Sequence, residues 1–325
     1  MRALVLGPGG SRGAFQVGVL AGLLEEDPTL DYDIYWGVSV GALTASALAQ
    51  GPLRETLPGV EKVWLKDITS RKNVWQHRLA YRLLGWTAAT VLLFLGAFGC
   101  FLGEGPKLFT MILAGLGWLS LFASFRSLAR APSVYRVDPL QTVIEDQVDG
   151  SKVKAAGKKL RIGAISVETG RFRTVSEEQK DLSRWVLASA SFPVFFPPVR
   201  IDGETWIDGG MGALTPLWDA ISLGATHIDV IATICRETDE DPAPVGILGS
   251  VARVVDLGTT GVWNDLERLA ERNPHVQVRF FYPTPPFPRH TLKFEPLLLW
   301  EMYCRGKESV RKVDIGRPSG TIPRH

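Results

Sequence analysis

Little in this chain is arranged to hold a metal or to form a disulfide framework. Its three cysteines, Cys100, Cys235 and Cys304, are scattered without C-x-x-C spacing. That pattern fits a reducing compartment. Five histidines (His77, His227, His275, His290, His325) form no H-x-x-x-H pair, so no metal site is expected. Charge is scarce in net terms, at +2, and no basic stripe is evident, which argues against a nucleic-acid partner. No internal repeat is apparent. Met1-Arg2 leads directly into Ala3-Leu4-Val5-Leu6, too short for the apolar region of a signal peptide and stopped by Gly7-Pro8-Gly9-Gly10. Residues 2–6 read instead as a buried strand followed by a loop.

What the chain has in excess is apolar sequence, 46% of its 325 residues. Much of it lies in two runs: Leu83–Gly103, 21 residues without a charge, and Leu108–Phe125, 18 more. At 1.5 Å per residue the first reaches roughly 30 Å, the thickness of bilayer hydrocarbon. Glu104-Gly105-Pro106-Lys107 between them predicts a hairpin. Arg71, Lys72, Arg78 and Arg82 precede it and Arg126 and Arg130 follow, so both flanks are expected on the cytoplasmic side. Gly96, Gly99, Gly103, Gly115 and Gly117 predict close helix packing. A re-entrant hairpin fits the same run.

On either side of this insertion, strands and helices alternate. A helix is predicted from Ala14 to Glu26, an amphipathic one from Leu53 to Lys66, and another from Asp138-Pro139. Lys159–Val167 and Phe172–Val175 read as a hairpin, and Leu182–Ala190 as a short helix. Phe192–Val199 is a rigid apolar loop suited to lining a greasy channel. Thr205–Ile207 is a strand ending at Asp208-Gly209-Gly210, Leu217–Leu223 a helix and Ile228–Ile234 a strand. A polar loop over Arg236–Pro244, a long helix over Gly246–Ala270, a strand over Val276–Tyr282, a helix over Phe294–Val313 and a disordered tail from Gly316 complete the expectation. Alternation of this kind predicts an α/β fold with a largely parallel central sheet.

Two Gly-rich turns carry the candidate chemistry. Gly7-Pro8-Gly9-Gly10-Ser11-Arg12-Gly13 joins a strand to a helix and directs backbone N–H groups at whatever lies above it. A dinucleotide site would use such a loop, but Arg12 stands where G-x-G-x-x-G needs its third glycine. Asp31 and Asp33 could still mimic the ribose carboxylate. An acyl-transfer enzyme would use the same amides as an oxyanion hole. The second turn, Gly37-Val38-Ser39-Val40-Gly41, follows the apolar Asp33-Ile34-Tyr35-Trp36 and precedes an Ala-rich helix. Strand, serine-tipped turn and helix are the context of a nucleophile elbow. Serine needs a base. Asp208, at a strand end before two glycines, is one candidate. A histidine (His227, His275 or His290) is the rival, in the chain order of α/β-hydrolases.

Together these blocks resemble the signature blocks of the patatin-like phospholipase family. They are Gly7–Gly13 with Gly7, Gly9, Gly10 and Gly13; Gly37–Gly41; and Asp208-Gly209-Gly210. Ala188-Ser189-Ala190-Ser191-Phe192-Pro193 with Phe196-Pro197-Pro198-Val199 is similar to a fourth. The resemblance implies a three-layer patatin-like fold and a Ser–Asp dyad lipid acyl hydrolase, with Ser39 as nucleophile and Asp208 as base. It further implies an oxyanion hole from Gly9, Gly10, Ser11 and Arg12, with no metal, no cofactor and no histidine in the dyad. Pro8 departs from the glycine usual in bacterial members and removes one N–H.

The expected partners are a phospholipid or other lipid ester and a membrane, the bacterial inner membrane with a cytoplasmic catalytic domain. The expected organisation is a discontinuous catalytic domain, 1–75 and 131–315, with the hairpin at 76–130 and a tail at 316–325. A membrane-tethered scaffold or nucleotide-binding protein with a vestigial site, and a soluble esterase or thioesterase with an apolar lid, are the alternatives.

Overall fold

The computed structural model describes residues 1–77, 79–212, 216–234, 250, 262, 265–284, 287 and 292–311. Arg78, Cys235, His290, the loop expected over Arg236–Pro244, most of the helix expected over Gly246–Ala270, the end of the Phe294–Val313 helix and the tail lie outside the described residues. Two compact units are present. One comprises Met1–Val74, Pro139–Phe192 and the described residues from Pro198 on; the other comprises Trp75–Asp138 with Pro193–Pro197.

The first unit is an α/β sandwich around one sheet. In chain order its strands are β1 (Arg2–Leu6), β2 (Ile34–Val38), β5 (Lys159–Ser166), β6 (Phe172–Ser176), β7 (Val199–Ile201), β8 (Glu204–Asp208), β9 (His227–Ile231) and β10 (Gln277–Phe281). β3 (Gln76–His77) and β4 (Tyr135–Arg136) belong to the second unit. The sheet order is β10-β9-β1-β2-β5-β8-β7, with β6 also on β5. β10, β9, β1, β2 and β5 run parallel, β6 and β8 pair antiparallel with β5, and β7 pairs antiparallel with β8. Strands buried on both faces must be apolar throughout. Ala3–Leu6 and Ile34–Val38 satisfy this, with every side chain buried. Because β1 and β2 are central parallel neighbours, with Leu6 opposite Gly37, their C-terminal ends open side by side. The loops that follow them therefore meet at one edge of the sheet, the usual ligand edge of such folds.

The helices of this unit are α1 (Gly13–Glu26), α2 (Val40–Leu48), α3 (Leu53–Lys62), α6 (Asp138–Gln147), α7 (Gly150–Ala155), α8 (Leu182–Ser189), α9 (Pro216–Ser222) and α10 (Pro296–Val310). α1 is apolar all round, and Gly13 to Leu23 are all buried, as a helix enclosed by the fold requires. The helix predicted over Leu53–Lys66 is instead an α-helix to Lys62, with Pro58 inside it, followed by a π-turn over Val63–Asp67. The wider turn carries Trp64 onto Gly13, where its indole N–H donates to the Thr44 hydroxyl at 3.3 Å.

The second unit is the helical hairpin α4 (Leu79–Leu102) and α5 (Lys107–Ala129). Each is long and apolar enough to cross a membrane, and little of either is buried. A 24-residue helix spans ~36 Å, more than the ~30 Å hydrocarbon layer. The expected glycine seam is mostly absent. A Cβ on Gly117 would meet Phe94 at 3.0 Å, but Gly99 and Gly115 face open space. Serines on α5 supply the contact instead. Ser120 accepts from Thr90 at 3.0 Å and donates to the Trp86 carbonyl at 3.0 Å, and Arg82 donates to Ser127 at 3.4 Å. A hydroxyl is small enough for close helix approach and satisfies itself across the interface, which glycine does not. At the open end β3 pairs with β4, and Trp75 stacks on Tyr135 with ring centroids 3.9 Å apart. The Pro193–Pro197 loop joins this unit through Val134 N–H to Val194 O and Tyr135 N–H to Phe195 O, both 2.9 Å. Phe195 and Phe196 are buried beside the Tyr135 ring.

Candidate active site

Ser39 stands between β2 and α2 with φ 57° and ψ −128°, a backbone state unusual for a residue with a Cβ. The flanking glycines are there because nothing larger fits. A Cβ on Gly37 would overlap the Gly41 carbonyl, and one on Gly41 would overlap the Leu6 carbonyl at the end of β1. The turn is thus pressed between two strand ends, which lifts the serine above the sheet edge. The Ser39 N–H donates to Ser189 Oγ at 2.9 Å, and that hydroxyl donates to the Gly163 carbonyl at 2.6 Å. Ser189, at the end of α8, is therefore a strut between β5 and the elbow. It lies in the Ala188–Pro193 block, but no local pattern announces this role.

Asp208 ends β8, directly across from Ala164 of β5. Its amide donates to the Ser191 carbonyl at 3.0 Å, and its Oδ1 accepts the Gly210 N–H at 2.8 Å. The Ser39 hydroxyl lies near enough to this carboxyl to pull its pKa down. Both residues are almost fully enclosed, Asp208 at 4% and Ser39 at 9% exposure. Burial raises the Asp208 pKa from 3.8 to about 7, against the opposing pull of the nearby Ser39 hydroxyl and the Gly210 N–H. A carboxylate titrating near neutrality is a far better proton acceptor than an ordinary aspartate.

The Gly7–Gly13 loop closes the third side. A Cβ on Gly210 would lie 2.9 Å from Pro8 Cβ, and one on Gly41 would lie 2.8 Å from the Gly7 carbonyl, so the loop touches both other blocks. A turn of 3-10 helix, Gly10–Arg12, leads into α1. Among the described residues the amides of Gly9, Gly10 and Ser11 meet no backbone acceptor, whereas the Arg12 amide donates to Gly9 O at 3.1 Å. Arg12 therefore differs from its expected part in the donor set: a 3-10 turn uses its N–H internally. Gln16, fully buried on α1, donates to the Gly7 carbonyl at 2.7 Å.

A family model described as Patatin-like phospholipase matches residues 4–221, a span that holds every residue named in this site. The chain belongs to the patatin-like phospholipase family. Among solved structures it is similar to VipD from Legionella pneumophila, at 14% identity and TM-score 0.44, over 96% of this chain and 66% of that one. It is also similar to the type III effector protein ExoU, at 15% identity and TM-score 0.37, over 95% and 52%. Full-length ExoU from Pseudomonas aeruginosa, solved in complex with SpcU, gives 17% identity and TM-score 0.34, over 96% and 52%. The chain thus spans about two thirds of VipD and half of ExoU. No curated protein matches it by sequence.

Membership brings the patatin-like α/β fold, and lipid ester hydrolysis is the chemistry that the family's description names. The rival histidines are badly placed for that chemistry. His227 opens β9, opposite Arg2 at the start of β1, and His275 precedes β10. Both lie at the N-terminal edge of the parallel strands, roughly a five-residue strand length or ~16 Å from the Ser39 edge.

Proposed function

We propose that this chain is a membrane-anchored serine lipid acyl hydrolase in which Ser39 and Asp208 form the catalytic dyad. The observation that supports this reading is the placing of a buried Asp208, at the end of β8, near the Ser39 hydroxyl of the strained elbow, with its pKa raised to about 7. In the proposed reaction Ser39 Oγ attacks the ester carbonyl and Asp208 accepts its proton. The amides of Gly9, Gly10 and Ser11, with the positive end of α2, stabilise the oxyanion. Collapse expels the alcohol, which takes the proton back from Asp208 and leaves an acyl-Ser39. Water then attacks the acyl group with Asp208 again as base. The released products are a fatty acid and a lysolipid or its alcohol.

Location supports a lipid substrate. The hairpin presents Leu92, Phe101, Leu108, Met111 and Phe125 outward, each at least two-thirds exposed. A soluble chain would bury such a surface, so a bilayer is the proposed surround. The cationic flanks support a topology with both hairpin ends, and hence the catalytic unit, at the cytoplasmic leaflet. Glycerophospholipid or lysophospholipid esters are the proposed substrates. The test is hydrolysis of phospholipid by the full chain in detergent or vesicles. Ser39→Ala and Asp208→Asn are each expected to abolish it while folding is kept. Full activity in either variant would refute the dyad, and outside exposure of a terminal tag would refute the topology.

A further inference from the structure

The loop that carries the proposed oxyanion donors is gripped by its carbonyls. Gly7 O accepts from Gln16 Nε2 at 2.7 Å, Pro8 O accepts from the Thr233 hydroxyl, and Gly9 O accepts from the Arg12 amide at 3.1 Å. In a trans peptide the C=O and the following N–H point in opposite directions within one rigid plane. Fixing the Pro8 carbonyl therefore fixes the aim of the Gly9 N–H. Thr233 lies just beyond β9, while Ser39 follows β2, and these strands flank β1 on opposite sides. With the Pro8 carbonyl drawn toward the β9 side, the Gly9 N–H faces the β2 side, where Ser39 stands.

Two further observations tie Thr233 to this duty. Its side chain is 1% exposed and its hydroxyl is committed to Pro8 O, so it is not a solvated surface group. It also lies so close that a Cβ on Gly9 would fall 2.7 Å from Thr233 Cβ and 3.0 Å from its Cγ2. The glycine is needed for this contact to exist. Pro8 has no N–H, so Gly9 supplies the first amide in the loop. The aim of that one amide then depends on the group that holds its peptide plane.

We propose that Thr233 is a positioning residue for the oxyanion hole, its hydroxyl holding the Pro8 carbonyl so that the Gly9 N–H is directed at the oxyanion formed on Ser39 attack. This rests on the hydrolase reading above. Loss of a whole oxyanion donor lowers kcat about 10²–10³-fold, so a misaimed one is expected to lower it ~10- to 100-fold. The assay is steady-state hydrolysis of a short-chain p-nitrophenyl ester by the full chain in detergent, together with the rate of fluorophosphonate inactivation.

Thr233→Val keeps the shape and removes the hydroxyl. It is expected to lose ~10- to 100-fold in kcat and in inactivation rate, with KM within about twofold. Thr233→Ser, which restores the hydroxyl, is expected within about threefold of the parent. If Thr233→Val does not fold, Thr233→Ala against Thr233→Ser reads the same hydroxyl. The proposal is overturned if the hydroxyl-free variant keeps the parent kcat, if the loss is in KM alone, or if serine is as impaired as valine. Each of those outcomes leaves the dyad standing. A parent protein that neither hydrolyses ester nor labels at Ser39 would instead refute the hydrolase reading, and this inference with it.

Discussion

Replacing Asp208 by asparagine should abolish activity and yet shift stability in the variant's favour as pH rises. The carboxyl titrates at 3.8 when exposed and at about 7 in the fold, with burial as the main cause. Below pH 3.8 it is neutral in both states and contributes nothing. Between 3.8 and about 7 the unfolded chain is ionised while the folded one stays protonated, so the folded state binds the extra proton and stability falls as pH rises. Above about 7 the full penalty of ionising a buried group is present, ~4 kcal/mol at 1.36 kcal/mol per pH unit. At pH 5 only ~1.5 kcal/mol of it has developed.

Asparagine removes this penalty but places an amide in the same dry site, at a cost of about 1–3 kcal/mol that does not vary with pH. The difference between pH 8 and pH 5 is free of that unknown. The gap between Asp208→Asn and the parent should therefore widen by about 2–3 kcal/mol from pH 5 to pH 8. Urea titrations in mild detergent, followed by tryptophan fluorescence, measure it directly. Trp36, Trp64, Trp185 and Trp206 are all buried in the catalytic unit and report on its unfolding. A gap that stays constant, or narrows, between these pH values would refute the claim that Asp208 is held protonated by burial, and with it the reason for its strength as a base.

Further expectations are as specific. The kcat/KM of ester hydrolysis should rise with pH through about 7 as Asp208 loses its proton, and a profile flat from pH 5 to 8 would contradict this. Ser189→Ala leaves the Ser39 N–H and the Gly163 carbonyl without their shared hydroxyl. It should lose about 1–3 kcal/mol of stability, read by denaturant midpoint, and lower kcat more than KM. Gly41→Ala forces a Cβ into the Leu6 carbonyl, so backbone must move; a loss of ~3 kcal/mol or more, or failure to accumulate folded protein, is expected. In the hairpin, Ser120→Val removes two interhelical hydrogen bonds at a cost of only ~0.6 kcal/mol each. Gly117→Leu, which drives a side chain into Phe94, should weaken the helix pair more, measured as the detergent or heat needed to expose it.

Much of this protein is legible in the chain itself. Strand β1 and the elbow strand β2 are short apolar runs ended by glycine, and period, length and flanking charge mark the hairpin. All are local signals, set by backbone sterics and by which faces must leave water. The glycines at 37 and 41 could be read as a nucleophile turn; Gly37 is required by Gly41 within that turn, but Gly41 is required by a contact with Leu6, far away in sequence. Gln16 and Thr233 carry no pattern at all, and the block that holds Ser189 does not announce its role. Each matters for one hydrogen bond to a backbone group brought near by strand order, and strand order is not written in any window of residues. The glycine seam expected in the hairpin held only at Gly96 and Gly117, for a related reason: helix rotation decides which small residues face inward, and here it also selected Ser120 and Ser127.

The sequence by itself determined the elements, the apolar insertion and the residue types able to do acyl-transfer chemistry, because those depend on local geometry and hydrophobicity. The residue pattern alone kept an aspartate and a histidine as rivals for Ser39, and the family resemblance implied the aspartate. Tertiary structure decides which of them lies at the Ser39 edge. Antiparallel pairing of β8 on β5 carries Asp208 to the C-terminal edge, into a dry site beside Ser39, while the parallel register of β9 and β10 leaves His227 and His275 at the opposite edge.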